Sequence, residues 1–341
     1  MEILSPKNYQ VFQRYCKNKG YIAFKGINKS PVTIKITGKD FQNNPVEIEE
    51  NIIVTDDFNI EVPAGGWYKT EIKTDTDIYI IDHVGVGEII VGAGQSNSTN
   101  SGQFRIETET NMVATTDGIE WRIANDPMLG THDMASGADG CGGGSFYPAL
   151  GDALYKEFNV PIGIASCGYG ATSVLQWLPD AVPVKWDNQL LKIVETDDDI
   201  NLFDYLINRM NQLGLHGFRC LVWHQGETDH DLPEYKYYSA LYKVITACQK
   251  SAGWYVPWFV AIASYIITDW DNPNPKKYYN VREAQKRICT DKIAHLGPDT
   301  DTLGAEYRDE TGVHFGINGL KTHGKMWADC IIPYIHSLID L

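Results

Sequence analysis

Five apolar runs of strand length punctuate the chain from about residue 84 onward: GEIIVGAG, PIGIAS, FRCLVW, WFVAIAS and KIAHLG. Between and after them lie segments with helical spacing: SFYPALGDALYKEF, FDYLINRMNQLG, EYKYYSALYKVITACQKSAG, NVREAQKRIC and a final helix from about Gly319 to Leu338. Strands that are apolar at consecutive positions leave no face for water, so they require a parallel sheet with helices on both sides. The expectation is an α/β three-layer domain over residues 84–341 with a five-stranded parallel sheet.

Residues 1–83 have a different texture. The runs YIAFKG, VTIKITG, NIIVT, FNIEVP and IYIID alternate β-branched and polar residues and are separated by Gly, Pro, Asn and Asp. That pattern predicts a small all-β, sandwich-like module. It contains no cluster of Ser, His or Cys, so it reads as a non-catalytic support. The junction near Asp82 to Gly87 is too short to be a flexible tether, which predicts that the two regions pack together. Two domains agree with 341 residues at about 150 per domain.

Charge and cysteine content narrow the function classes. With 29 basic and 44 acidic residues the net charge is −15, which argues against nucleic acid as a partner. No apolar run approaches the ~20 residues of a membrane span. The start, MEILSPKNYQVFQR, lacks the apolar core of a signal peptide, so the chain reads as soluble, cytoplasmic or exported with its signal removed. The seven Cys residues, including Cys141, are scattered without a CxxC pair, so neither a disulfide framework nor a zinc site is expected. Cys220 and Cys330 sit among apolar neighbours and read as core residues, favouring a reducing compartment. The acidic run TDDD at 196–199 is placed to complement the dipole of the helix that follows.

In an open parallel sheet, ligands bind beyond the carboxyl ends of the strands. The first three strands run into GAGQSNSTNSG, CGYGATSVLQW and HQGETDHD, all Gly-rich and small-polar, a composition that leaves backbone N–H groups free for a ligand. Ser96 is the candidate nucleophile, a hydroxyl at a strand end entering a helical turn. The alternative is that Ser96 only caps that turn. No P-loop and no GxGxxG fingerprint is present. His224, Asp229, His230 and Asp231 are competent metal ligands, yet neighbouring strand positions face opposite ways and no HxH or HExxH spacing converges them. The third loop reads better as an oxyanion element, with the Gln225 amide aimed at the point served by the Ser96 and Gly170 N–H groups. A base belongs late in the chain. His314 in DETGVHF is the candidate, and His323, inside a helical pattern, is a competitor read as helix surface.

Taken together, Gly94-Gln95-Ser96-Asn97, the Gly170 to Trp177 string, Trp223 to Asp229, and His314-Phe315 with Gly319 resemble the four blocks of the SGNH (GDSL-like) hydrolase superfamily. The branch they resemble is that of sialate O-acetylesterases and acetyl xylan esterases. The resemblance implies a flavodoxin-like sheet and a serine esterase that removes O-acetyl groups from carbohydrates, sialic acid or acetylated xylan-type glycans, with no cofactor or metal. Carried over, Ser96 is the nucleophile and His314 the base, Ser96, Gly170 and Gln225 form the oxyanion hole, and Asn97 and Glu227 support them.

Two positions depart from the pattern. Ala171 replaces the second Gly of the second block, a small change if its φ is negative. Thr311 stands three residues before His314, where the family has its acid. Asp309, in a stretch that must turn sharply before Gly312, is the choice for that role; Glu310, Glu227 from the third loop, or a backbone carbonyl in a Ser-His dyad stays open. For substrate contacts, Arg105 and Arg122 are the cationic candidates. Trp121, Tyr169, Trp177 and Trp186 either stack on sugar or pack the core, with Trp177 and Arg105 preferred as substrate contacts. The rival reading is a non-catalytic carbohydrate-binding or adhesion protein on an esterase scaffold, motivated by Thr311 at the acid position and by the β module.

Overall fold

The computed structural model describes residues 3–27, 31–53, 57–131, 142–187, 189–190, 192–197, 201–267 and 276–340; Cys141, Asp198 and Asp199 lie outside these ranges. The amino-terminal strands are β1 (Gln10–Gln13), β2 (Lys19–Phe24), β3 (Val32–Lys39), β4 (Pro45–Ile52), β5 (Phe58–Pro63) and β6 (Gly65–Lys73). They lead into β7 (Ile78–Gly94), the longest strand. In β3, Val32, Ile34 and Ile36 are buried at every second position, the period of a sheet with one covered face. The two-stranded β2–β5 ribbon covers that face, with Ile22, Phe24, Ile60 and Val62 in one core with Ile34, Ile36, Tyr68 and Ile72.

The runs IYIID and GEIIVGAG, expected as separate strands, are the two ends of β7. The boundary placed after residue 83 therefore falls inside a continuous strand. Its first half pairs antiparallel with β6, while Val84 to Gly87 pair parallel with β1. From Glu88 onward it pairs with two other partners in the second sheet. Gly87 marks the transfer, where a side chain would collide with the Pro161 carbonyl.

The remaining elements are β8 (Val113–Thr116), β9 (Trp121–Ile123), α1 (Tyr147–Phe158), β10 (Ile162–Ser166), β11 (Val184–Asp187), β12 (Lys192–Glu195), α2 (Leu202–Leu213), β13 (Cys220–His224), α3 (Glu234–Ala252), β14 (Trp258–Ile262), α4 (Tyr279–Thr290), β15 (His295–Asp299) and α5 (Ile317–Ile339). The main sheet runs β15-β14-β13-β7-β10-β8-β9, parallel except for β9. β8, missed in the sequence, adds a sixth parallel strand to the five expected. Two of its four residues are Thr, buried by their neighbours rather than by their own hydrophobicity. The last strand lies three residues later than KIAHLG suggested, on HLGPD.

Alternate side chains of β7 serve two cores. Ile89, Val91 and Ala93 pack toward α2, α3 and α4, and Ile90 packs toward α1 and α5. That is the three-layer arrangement the apolar runs require, and no helix among the described residues is long and apolar enough to cross a membrane. Because β7 lies between β10 and β13, strand order reverses beside it, and its carboxyl end opens on the crevice where such sheets bind ligands.

Both sheets are locked at Glu88, which is fully buried. Its Oε1 accepts from Arg14 Nε at 2.7 Å, and its Oε2 accepts from Arg219 Nε at 2.6 Å and Gln13 Nε2 at 2.8 Å. Burial alone would raise its carboxyl pKa, but Arg219 and Arg14 hold it below the ordinary value. Glu88→Gln leaves the buried Arg14 and the partly buried Arg219 without their counter-charge and is expected to cost about 3–5 kcal/mol at pH 7. A folded pKa below the unfolded one means that this stabilisation is present above the unfolded pKa and disappears as pH falls through the folded one. Urea denaturation at a series of pH values should show the two proteins converging in acid; an equal gap at all pH would contradict the ionised pair.

Candidate active site

Gly94 ends β7 at φ 129°, and a Cβ there would lie 2.0 Å from the His224 carbonyl oxygen, so only glycine fits. This close passage lets the Gln95 N–H donate to that carbonyl at 2.9 Å. The chain then enters a single 3₁₀ turn, Ser96–Ser98, with Gln95 in the cap position and no side-chain cap bond. Ser96 is therefore the first residue of the turn rather than its cap, and among the described residues no hydrogen bond engages its hydroxyl. As the first amide of the turn, its N–H has no partner within the turn.

The second loop is pinned beside the first: Cys167 and Tyr169 donate their N–H groups to the carbonyls of Gly92 and Gly94, both at 2.8 Å. Gly170 follows, buried, and its amide donates to nothing among the described residues. Ala171 has φ 58°, so the condition under which its replacement of glycine was harmless is not met. A left-handed alanine is strained by about 1–2 kcal/mol, partly offset because alanine restricts the unfolded chain. Ala171→Gly is expected to stabilise the protein by about 0.5–1 kcal/mol, read as a higher urea midpoint at constant slope. A lower midpoint would mean that the left-handed conformation carries no strain here.

In the third loop, the Gln225 side chain does not face the crevice as expected. It is fully buried, and its amide nitrogen lies 2.7 Å from Asp229 Oδ2, 3.1 Å from the Thr172 carbonyl and 3.2 Å from Gln95 Oε1. Its donors are spent on tying the three loops together. Gln95 complements it, because its Oε1 also accepts the N–H groups of Gly226 and Thr228 at 3.2 and 3.1 Å. Asp229 completes the tie to the second loop through Ser173 Oγ at 2.5 Å and the Val174 N–H at 2.7 Å.

His314 lies in a tight reversal before α5. The Asp309 N–H donates to the His314 carbonyl at 2.8 Å, the Gly312 N–H donates to the Asp309 carbonyl at 2.9 Å, and Arg308 bridges Phe315 across the turn. Asp309 does fold back: its Oδ2 is 3.9 Å from His314 Nδ1. Thr311, three residues before His314, donates its hydroxyl and its N–H to Asp309 Oδ1 at 2.6 and 3.1 Å. It thereby orients the carboxylate instead of supplying one.

Two tethers bring this loop to Ser96. Asn97 Nδ2 is 2.9 Å from Glu227 Oε1 and 3.4 Å from the Val313 carbonyl, and the Gln103 N–H donates to the Phe315 carbonyl at 3.0 Å. The residue after Ser96 is thus bound to the residue before His314. Arg308, 9 % exposed, braces the same turn, donating Nη1 to the Val313 carbonyl at 2.6 Å and stacking on Tyr265 and Phe315.

Other expectations change. Trp177 is fully buried, donates Nε1 to Thr172 Oγ1 at 3.0 Å and packs edge-on against Trp223, so it is core rather than a sugar platform. Arg105 is exposed in the segment after the Ser96–Ser98 turn. His323, read as helix surface, is fully buried and hydrogen-bonded to Trp327 and His224. Sequence reasoning also passed over Gln95 as the clamp and Arg308 as the brace; only the GQSN string hinted at the first.

The residues that resemble the SGNH blocks are thus collected at the carboxyl edge of one parallel sheet. Residues 86–333 match the family model described as carbohydrate esterase, sialic acid-specific acetylesterase, and the chain belongs to that family of carboxylic ester hydrolases. No curated protein matches it. Among solved structures it is similar to a carbohydrate acetylesterase from Xanthomonas citri, at 15% identity and a TM-score of 0.61, over 98% of this chain and 75% of that one. It is also similar to a protein from Arabidopsis thaliana, at 16% identity and a TM-score of 0.50, over 73% of this chain and 98% of that one. At such identities the likeness is one of fold.

Proposed function

We propose that this protein is a serine esterase that removes O-acetyl groups from carbohydrates. In the first step Ser96 Oγ attacks the acetyl carbonyl carbon and passes its proton to His314 Nε2, the nitrogen remote from Asp309. The carbonyl oxygen, now negative, is held by the Ser96 and Gly170 N–H groups, which have no other partner among the described residues. The C–O bond to the sugar breaks as His314 returns the proton to the sugar oxygen, leaving acetyl-Ser96. Water then gives a proton to His314 and attacks the acetyl group; as the bond to Ser96 breaks that proton passes to Ser96 Oγ, and acetic acid leaves with water's other proton, which it gives up to solvent. Asp309 steadies the imidazolium that forms in each step.

The observation that carries this reading is the Asn97–Val313 bond, which joins the nucleophile turn to the base loop across more than two hundred residues. Gln225, whose amide is consumed by Asp229, Thr172 and Gln95, is left out of the oxyanion hole and acts as a strut. Thr311 does not favour a non-catalytic protein over this reading, because Asp309 stands 3.9 Å from His314 and Thr311 donates to its carboxylate. The natural substrate is the finer question. Acetate release from O-acetylated sialic acid and from acetylated xylan, measured side by side, tests it; release from either establishes the activity, whereas sugar binding with no release from any acetylated glycan would overturn it.

A further inference from the structure

Beneath the nucleophile turn runs a buried chain of polar groups that the reaction above does not use. Trp327 Nε1 is 2.9 Å from His323 Nε2, His323 Nε2 is 3.1 Å from His224 Nδ1, His224 Nε2 is 3.1 Å from Glu227 Oε1, and Glu227 Oε1 accepts from Asn97 Nδ2. None of Trp327, His323, His224 and Glu227 is more than 2 % exposed. The chain therefore links the middle of α5 to the residue after Ser96 without touching water.

Proton positions along it follow from donor chemistry. An indole nitrogen can only donate, so His323 Nε2 must be the unprotonated acceptor. The hydrogen between the two imidazoles then has to sit on His224 Nδ1. A second hydrogen is needed between His224 Nε2 and Glu227 Oε1, since a bare imidazole nitrogen and a carboxylate oxygen repel. His224 and Glu227 thus share one proton more than a neutral imidazole and a carboxylate would hold.

We infer that His224 is held as an imidazolium against the ionised Glu227, and that this locked pair is a positioning element that fixes Asn97, and through it the turn carrying Ser96. Burial pushes the Glu227 carboxyl upward, but the neighbouring His224 ring and the bonds from His224 and Asn97 bring it down to about 2, in keeping with a carboxylate there. His323 is driven far below the ordinary imidazole value by burial and by the charges of His224 and Arg308, in keeping with a neutral acceptor. The other charged groups facing the pair are Arg308, ahead of α5, and Asp229, two residues beyond Glu227 in the same loop. Glu227 is thereby committed to a cation below the site, a different post from that of triad acid.

The inference rests on the proposed esterase reading only for its activity arm; its spectroscopic arm does not depend on turnover. The wild-type protein labelled with ¹⁵N-histidine, its His224 signals assigned by their loss in His224→Gln, should show both ring nitrogens of His224 protonated at pH 6.5–8 and His323 protonated at one. Trp327→Phe removes the donor that fixes His323, frees His323 Nε2 to take a proton and donate it toward His224, and should leave His224 with one protonated nitrogen. A single protonated nitrogen on His224 in the wild type, with Glu227 carrying the other proton, overturns the inference. In the activity arm, folded His224→Gln keeps a donor but no charge and should lose about 10²-fold in kcat with KM within about twofold, the scale of a small misplacement of reacting groups. An unchanged kcat would overturn the positioning role even with the imidazolium confirmed. A wild type inactive on every ester but with a doubly protonated His224 would refute the esterase reading and leave the ionised pair standing.

Discussion

Replacing Ser96 by alanine is expected to lower kcat for p-nitrophenyl acetate by about 10⁶-fold, the loss seen when a hydrolase nucleophile whose partners act as a unit is removed. The fold should not notice. The hydrogen bonds that shape the turn use backbone carbonyls: Thr99 Oγ1 donates to the Ser96 carbonyl and Ser98 Oγ to the Gln95 carbonyl, at 2.8 and 2.7 Å. Both survive the change, so stability should move by less than about 1 kcal/mol. Thermal unfolding together with initial rates separates the two effects. A folded Ser96→Ala protein within tenfold of the wild-type rate would remove Ser96 from the mechanism.

The second large effect is expected at Asp309. On the proposed mechanism, neutralising the carboxylate as Asp309→Asn should reduce turnover by about three to four orders of magnitude, the loss that follows when a triad carboxylate is neutralised. In the resting structure the 3.9 Å separation from His314 is longer than a hydrogen bond, and such contacts commonly tighten only when substrate is bound. Thr311→Val, which removes a hydroxyl bond to Asp309, should reproduce a smaller part of the loss. Glu227→Gln provides the contrast. If Asp309→Asn costs under tenfold while Glu227→Gln costs a thousandfold, the acid belongs to the third loop; if both are mild, a backbone carbonyl orients His314.

Much of this architecture was legible in the sequence because it depends on local patterns. The runs that became β7, β10, β13 and β14 are apolar at successive positions, which only a doubly covered sheet tolerates. β8 was not legible, since VATT becomes a buried strand only when β10 offers it a partner. The block residues marked the strand ends correctly, but what their side chains do depends on distant neighbours. Gln225 looks like a free donor until Asp229, Thr172 and Gln95 are seen to take its amide. His323 looks like helix surface until Trp327 and His224, the latter 99 residues away in sequence, are seen to enclose it. That Asp309 folds back toward His314 was reachable from sequence by a turn argument, whereas the bonds it accepts from Thr311 required coordinates.

The central claim, a covalent acetyl intermediate on Ser96 formed with His314 as base, is tested most directly by catching that intermediate. Rapid acid quenching during turnover of p-nitrophenyl acetate, followed by peptide mapping in a mass spectrometer, should find one acetyl group per chain on Ser96, cleared at the rate of turnover and absent from His314→Ala, where the nucleophile is no longer deprotonated. Steady acetate release with Ser96 unmodified throughout, or with the acetyl group on another side chain, would contradict it.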